Sequence, residues 1–251
     1  MGIGAITLNR PDKLNALNYP LVMEIVDVIE KARRNKDLRI ITIEGSGSCF
    51  SSGDDLKSMG PEGVKFNPLE DGSQIPHQKL LRLIREVPKP VIALLHGYCL
   101  GAGFEIALAC DIRLASDNLA IGDHRSKRAH CVLCGASYFL PRIVGFGRAT
   151  EIIFSGRHLD AKEALEIGLV NHVYPANEFK GKAGEYVQNI AKLPTTCIGY
   201  DKNMLNYSEY HELFPSLQHE FKLYVKNIRT KDFAEGMKSF IKKRVPKYIG
   251  R

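Results

Sequence analysis

Apolar residues in this chain occur in two alternating patterns. Largely apolar, β-branched runs at residues 5–8, 38–43 and 90–95 predict buried strands. Between the first two runs, apolar side chains recur at helical spacing after Asn18, a residue type that caps helix N-termini well. This strand–helix–strand order predicts an α/β fold with parallel strand pairing.

The second half of the chain changes character. A helix is expected at residues 77–85, short strands at 111–115 and 119–121, and helices at 147–154, 161–167, 178–193 and over most of 197–244. Because strands disappear at about residue 195, we predict a mixed core at 1–194 and a helical region at 195–251. Residues 58–76 contain three prolines and predict a surface loop, either a lid over a site or a plain excursion.

One glycine-rich stretch, residues 96–105, follows the strand at 90–95 and precedes an apolar helix. Gly97, Gly101 and Gly103 let another group approach the backbone closely, and N–H groups of a first helical turn have no partner within the helix. A tight connection between two elements explains such glycines equally well. Glu105 favours a functional interpretation, because a carboxylate among apolar helix residues is costly to bury without a role.

A second turn of small residues, residues 51–56, could also present backbone N–H groups. Ser52 invites a nucleophile interpretation, but no base is placed beside it in sequence and no G-x-S-x-G motif is present. The glycines of 97–103 do not have the G-x-G-x-x-G spacing of a dinucleotide-binding loop. Neither turn therefore matches those two kinds of site.

Charge and cysteine content narrow the class of protein. The net charge of +7 permits an anionic partner, but no basic tract with interleaved aromatics suggests nucleic acid. No apolar run is long enough to span a bilayer and no signal layout begins the chain, so we expect a cytoplasmic protein without a membrane partner. The six cysteines are expected to be free thiols, and the single Cys131-x-x-Cys134 pair is a weak indication of metal or redox chemistry.

Seven motifs in order make the chain resemble the crotonase superfamily, also called the enoyl-CoA hydratase/isomerase family, over essentially its whole length. They lie at residues 6–17, 50–56, 88–93, 96–111, 140–145, 161–170 and 235–244. The resemblance implies a spiral of ββα turns, a C-terminal helical region used in trimerisation, and assembly as a homotrimer or homohexamer.

The resemblance also implies a site for an acyl-CoA thioester. Backbone N–H groups at Ser52 and Ala102 would bind the thioester oxygen as an oxyanion hole, and Glu105 would transfer protons. No cofactor is expected, since coenzyme A is part of the substrate. The positions implied to contact substrate are Lys13, Ala16, Ser52, Gly53, Asp54, Asp55, Gly101, Ala102, Arg125, Phe240 and Lys243.

The chain departs from the family pattern at one important position. Hydratases of this family carry a second glutamate about twenty residues after the first, and here that position is Arg125. Asp123 could replace the lost acid if residues 121–125 are extended, since it would share a face with Arg125. Arg125 would instead favour the ionised form of Glu105 if it faces the site. His124 and His130 are weaker candidates, and solvated surface charge also explains all three side chains.

Three functions remain open on these residues. Addition of water to a 2-enoyl-CoA, giving a 3-hydroxyacyl-CoA, is the first because it is the commonest activity of the family. Isomerisation or decarboxylation with a single carboxylate is the second. A non-catalytic acyl-CoA-binding protein that retains the oxyanion hole is the third.

Overall fold

Two sheets form the framework of the protein, which is a computed structural model describing residues 2–59 and 75–250. The larger sheet has five strands in the order β1-β2-β3-β5-β8, and the smaller has three in the order β4-β6-β7. The strands are β1 (Ile3–Leu8), β2 (Ile40–Gly45), β3 (Val91–Leu95), β4 (Tyr98–Leu100), β5 (Ile112–Ser116), β6 (Ala120–Gly122), β7 (His158–Asp160) and β8 (His172–Tyr174).

Every strand pair in the larger sheet is parallel, and only β6 and β7 pair antiparallel. Parallel neighbours need crossover connections, which the helices between the strands supply. Helices therefore cover the sheet, and its strands read as continuous apolar runs. The predicted α/β class with parallel pairing is confirmed.

Helices make up most of the remaining described chain. Asn18 caps the first of them, since its Oδ1 accepts a hydrogen bond from the Leu21 N–H at 3.2 Å. The helices are α1 (Tyr19–Arg34), α2 (Leu56–Met59), α3 (Pro76–Glu86), α4 (Ala102–Ala109), α5 (Ala136–Val144), α6 (Phe146–Ser155), α7 (Ala161–Glu166), α8 (Phe179–Ala191), α9 (Thr195–Ser208), α10 (Leu213–Asn227) and α11 (Lys231–Ile241).

Helix α4 lies at the centre of the core, and all eight of its residues are buried. It follows the short strand β4, which the sequence pattern did not predict between β3 and the helix. Strands β7 and β8 and helix α5 were likewise not predicted, because three-residue strands and a helix containing Pro141 carry little periodic signal. The helices expected over most of 197–244 are α9, α10 and α11.

The loop predicted at 58–76 lies mostly outside the described residues. In the described parts of the chain no helix is long and apolar enough to cross a membrane. The division of the chain into a core at 1–194 and a helical region at 195–251 stays a prediction, although α9 begins at Thr195.

Candidate active site

The two turns of small residues meet in the folded chain. Gly101 adopts a φ of 53° between β4 and α4, and Gly53 adopts a φ of 96° in the other turn. A Cβ placed on Gly53 would lie 2.8 Å from the Leu100 oxygen and 3.4 Å from the Ala102 nitrogen. Glycine is therefore required at Gly53 both for its backbone conformation and for the close approach of the two turns.

Buried polar side chains hold the first turn in place. Asn15 is fully buried and donates hydrogen bonds to the carbonyls of Ser46 and Cys49, each at 2.8 Å. The Ser51 hydroxyl donates to the Asn15 carbonyl at 2.9 Å and accepts from the Gly53 N–H at 3.1 Å. These bonds satisfy the polar groups of an irregular buried segment, which fixes where its remaining N–H groups point.

The predicted oxyanion-hole donor at Ser52 is wrong. The Ser52 N–H donates to the carbonyl of Leu14 at 2.9 Å, so it is already used within the chain. In the described residues, the N–H groups of Asp54 and Ala102 have no acceptor. Asp54 is bridged to Leu17 through bonds made by its two neighbours, which leaves its own N–H on the opposite side.

Asp54 and Ala102, rather than Ser52, therefore have backbone N–H groups available to a bound oxygen. Ala102 is the first residue of α4, where the N–H groups lack intrahelical partners and the helix dipole is positive. The sequence carried a signal for the turn as a whole but none for which of its amides would be left free.

Glu105 is fully buried, as the sequence predicts. Its Oε1 accepts hydrogen bonds from the N–H groups of Cys134 and Ala136, at 2.9 Å and 3.1 Å. Its Oε2 lies 2.9 Å from the Arg125 Nη2 but makes no aligned hydrogen bond within the described chain. One oxygen is thus anchored, while the other keeps a lone pair for a proton.

Burial raises the pKa of Glu105 above its ordinary value, and the nearby Arg125 guanidinium and the two backbone N–H groups oppose this rise. The net direction is upward, because desolvation penalises the charged carboxylate more than these partners stabilise it. Arg125 thus favours the ionised form of Glu105, as the sequence argument expected. Burial has the larger effect on the Glu105 pKa.

Arg125 connects two carboxylates at the base of the site. Its Nε lies 3.0 Å from both oxygens of Asp123, and its Nη2 contacts Asp123 as well as Glu105. Burial lowers the pKa of Arg125, but the hydrogen bonds to Asp123 and the charge of Glu105 raise it by a larger amount. The net direction is upward, so the guanidinium stays charged. Asp123 is 2% exposed and holds Arg125, so its carboxylate is not free to replace the missing glutamate as predicted.

A cleft of about 870 Å³ opens above these residues. Five of the eleven predicted substrate positions line it, namely Ser52, Gly53, Asp54, Gly101 and Arg125. Arg125 contacts the cleft on one side and Glu105 on the other. A thioester oxygen bound by the Asp54 and Ala102 amides would lie one helical turn from Glu105.

His77 is a polar residue of the site that the sequence did not single out. Its Nε2 lies 3.6 Å from Asp54 Oδ1 and has no hydrogen-bond partner in the described chain. Burial lowers the pKa of the His77 imidazole, Asp54 raises it and Arg125 lowers it again. The net shift of the His77 pKa is downward. This favours a neutral imidazole beside the Asp54 carboxylate.

Several predicted substrate positions are not brought to the cleft within one chain. Phe240, 82% exposed at the end of α11, and Lys243 are not among its lining residues. Ala16 is buried with its carbonyl bound by Arg10, and Arg10 also pairs with Asp55 at 2.9 Å. Substrate contact by these residues and by the exposed Lys13 stays a prediction.

The two cysteines of the Cys131-x-x-Cys134 pair lie in different environments. Cys131 is exposed and Cys134 buried, and both are free thiols. The Cys134 N–H is one of the two backbone donors to Glu105. Among the residues with described positions, no group of three or more histidine, cysteine, aspartate or glutamate side chains is arranged to hold a metal ion.

Comparison with known proteins agrees with this geometry. The family model described as enoyl-CoA hydratase/isomerase matches residues 1–251. A Bacillus subtilis protein provisionally named enoyl-CoA hydratase/isomerase is 36% identical over 249 residues, covering 98% of this chain and 94% of the relative. The human mitochondrial enoyl-CoA hydratase domain-containing protein 2 is 33% identical over 258 residues, covering 100% of this chain and 86% of the relative.

A solved structure extends the similarity to the fold. The crystal structure of an enoyl-CoA hydratase from Bacillus anthracis superposes with a TM-score of 0.90 at 31% identity, covering 100% of this chain and 96% of the other. The site and fold thus define an α/β enzyme of the crotonase type. The chain belongs to the enoyl-CoA hydratase/isomerase family.

Proposed function

We propose that this protein binds an acyl-CoA thioester and stabilises its enolate with the N–H groups of Asp54 and Ala102. The observation that carries the proposal is that these two amides have no acceptor in the described chain. Asp54 and Gly101, the residue before Ala102, line one cleft, and Glu105 follows Ala102 by three residues on α4. Fixed donors aimed at an oxygen that gains charge stabilise the transition state; losing one donor typically costs about 3 kcal/mol.

Addition of water to a 2-enoyl-CoA is the first reaction we propose, and names of relatives support it. Glu105 takes a proton from water as the water oxygen bonds to C3, and the electron pair of the double bond moves to the thioester oxygen. The enolate then collapses as the same carboxyl returns the proton to C2. A raised pKa suits a carboxyl group that both accepts and donates a proton.

Isomerisation or decarboxylation is a second candidate, favoured by the position of Arg125. Both reactions form the same enolate with a single carboxylate, and Arg125 stands where a hydratase would carry its second glutamate. A third possibility is that the protein binds acyl-CoA without turning it over.

One assay separates these functions. The protein is incubated in turn with crotonyl-CoA, a 3-enoyl-CoA and methylmalonyl-CoA, and the products are identified by mass spectrometry. A gain of one water from crotonyl-CoA supports hydration. A 2-enoyl-CoA product from the second substrate supports isomerisation, and loss of carbon dioxide from the third supports decarboxylation. Binding without any product supports the non-catalytic alternative.

We further propose that the protein is a homotrimer or homohexamer assembled through its C-terminal helices. Five large apolar side chains of α10 are between 49% and 75% exposed in the single chain. An apolar surface of this extent is typical of a contact between subunits. The five residues are Leu213, Phe214, Leu217, Phe221 and Tyr224.

We also propose that the protein is cytoplasmic. All six cysteines are free thiols, which is typical of proteins kept in a reducing environment such as the cytoplasm. Cell fractionation followed by detection of the protein in the cytoplasmic fraction tests this. The proposed reactions draw on coenzyme A only as part of the substrate.

A further inference from the structure

The charges that line the cleft are strongly unequal. Among its described lining residues, Asp54 is the only acid, whereas Arg125, Lys127 and Arg128 are permanent cations. The acid faces His77 at 3.6 Å. Three histidines complete the polar wall of the cleft, namely His124, His130 and His158.

Two of these cations have no acidic partner in the described part of the chain. Arg125 is paired with Asp123 and Glu105, but Lys127 and Arg128 form no salt bridge with any described residue. Their field reaches their neighbours: burial lowers the pKa of His124 and of His158, and Arg128 and Lys127 lower both further. The cleft therefore has unpaired positive charge on one wall.

The local geometry places this charge near the reacting carbon. Residues Arg125–Arg128 form a turn of 3-10 helix, in which side chains three apart eclipse each other at a spacing of about 6 Å along the axis. Arg128 therefore projects from the same side of this turn as Arg125, and both line the cleft. Arg125 lies 2.9 Å from Glu105. The phosphates of coenzyme A lie at the other end of the pantetheine arm from the thioester.

We propose that the acyl group bound in this cleft carries a carboxylate a few bonds from the thioester, and that Arg128 and Lys127 bind that carboxylate. The inference rests on the proposed acyl-CoA function and names its substrate class. Lys127 and Arg128 are exposed in the single chain. A hydrocarbon chain bound beside them would displace water from these cations, which costs free energy, whereas a carboxylate supplies an opposite charge. Both hydration of a carboxylated enoyl-CoA and decarboxylation use such substrates.

Two saturated thioesters of equal chain length test the proposal without turnover. Glutaryl-CoA and valeryl-CoA both carry five-carbon acyl groups and differ at the far end by a carboxylate. We expect titration calorimetry to show that the native protein binds glutaryl-CoA at least about tenfold more tightly, the effect of one hydrogen bond to a charged group. Raising the salt concentration should reduce the ratio of the two affinities, because salt screens the charge of exposed cations.

The double variant Lys127→Gln, Arg128→Gln should abolish the preference while leaving the affinity for valeryl-CoA and free coenzyme A unchanged. The matched control is Arg34→Gln, Lys36→Gln, which removes two exposed cations near the end of α1, away from the cleft. Its preference should equal that of the native protein.

Other outcomes overturn the inference in distinguishable ways. Equal or tighter binding of valeryl-CoA by the native protein contradicts the carboxylate but leaves the acyl-CoA function standing. A double variant that binds coenzyme A and both thioesters more weakly by the same factor shows that the two cations bind the coenzyme phosphates instead. Failure of the native protein to bind either thioester overturns the proposed function itself.

Discussion

Arg125 lies 2.9 Å from Glu105, with its Nη2 facing the Oε2 of a carboxylate that the fold buries completely. The resemblance to the family implies that Arg125 stands where hydratases carry a second glutamate. This site combines one buried carboxylate with one cation at that position. Asp123 also holds Arg125, through the Arg125 Nε and through the same Nη2 that faces Glu105.

Replacing Glu105 tests its role in proton transfer. Glu105→Gln retains the shape of the side chain but cannot accept or release a proton, so we expect turnover to fall by about 10² to 10⁴, the usual contribution of a general acid or base. Acyl-CoA binding should persist, because the amides of Asp54 and Ala102 are unchanged. Steady-state kinetics and titration calorimetry measure the two effects separately.

Glu166→Gln is the control for that variant, since Glu166 lies on the exposed surface of α7 and should leave both quantities unchanged. Full activity in Glu105→Gln together with its loss in Asp123→Asn would contradict the assignment. The catalytic carboxyl would then lie in the Asp123 loop.

Replacing Arg125 tests its effect on the pKa of Glu105. Burial raises that pKa and Arg125 lowers it, so Arg125→Gln should raise it further. If Glu105 acts as a base in the free enzyme, the rising limb of kcat/KM against pH should move to higher pH. Arg125→Lys retains the positive charge and should show a smaller shift. If the rising limb moves in neither variant, Arg125 does not influence the titration of Glu105, and the prediction is wrong.

The same variants should change stability. A carboxyl whose pKa is raised by folding contributes stability below its unfolded pKa and loses it as pH rises through the folded pKa. Removing the Arg125 charge should therefore destabilise the protein most at neutral and higher pH. It also leaves Asp123 and Glu105 without their buried partner, a change that typically costs about 3 to 5 kcal/mol. Chemical denaturation at several pH values measures both effects.

A proline at Ala102 tests the oxyanion hole. Ala102 is the first residue of α4, a position where proline is well tolerated because the N–H has no partner within the helix. Ala102→Pro should thus fold while losing one donor, and kcat should fall by about 10² to 10³. Ala102→Gly keeps the N–H and serves as the control.

Ser52→Ala complements that test at the other turn. The Ser52 N–H is bound to Leu14, and alanine preserves this bond, so affinity and kcat should stay close to those of the native protein. Complete loss of activity in Ser52→Ala would revive the nucleophile interpretation and contradict the assignment of Asp54 and Ala102 as donors.

The assembly proposed for the C-terminal helices is tested on α10. Phe221 is 68% exposed in the single chain, and Phe221→Asp would put a charge into an apolar contact between subunits. We expect light scattering at micromolar concentration to show a trimer or hexamer for the native protein and smaller species for the variant. Lys222→Ala, on a different face of the same helix, is the control. A native monomer would contradict the proposal.

The features that could be predicted from the sequence are those fixed by residues close together along the chain. Residues 5–8, 38–43 and 90–95 predicted three parallel strands because their apolar side chains must be buried whichever elements pack on them. The glycines of residues 97–103 predicted a turn whose backbone a ligand could approach closely. The packing of Gly53 against Gly101 and Ala102 was not predicted. The short strands β4, β7 and β8 were missed, since three residues carry no usable period.

The assignment of single groups within the site shows the limit most clearly. Ser52 and Asp54 lie two residues apart in the same turn, and which of their amides stays free depends on the carbonyl of Leu14, which is distant in sequence. Asp123 and Arg125 were expected to share a face. The sequence left open whether the Asp123 carboxylate faces the substrate or the Arg125 guanidinium. The folded chain pairs them and links them both to Glu105.

The amino-acid sequence by itself determined the α/β class, the family, the two glycine-rich turns and the burial of Glu105, because these follow from local side-chain chemistry and from the order of motifs. Only the tertiary structure decided which amides are free, which carboxylate Arg125 binds and which cations line the cleft. Those properties depend on hydrogen bonds, ion pairs and desolvation between residues that are far apart along the chain, and no local pattern encodes them.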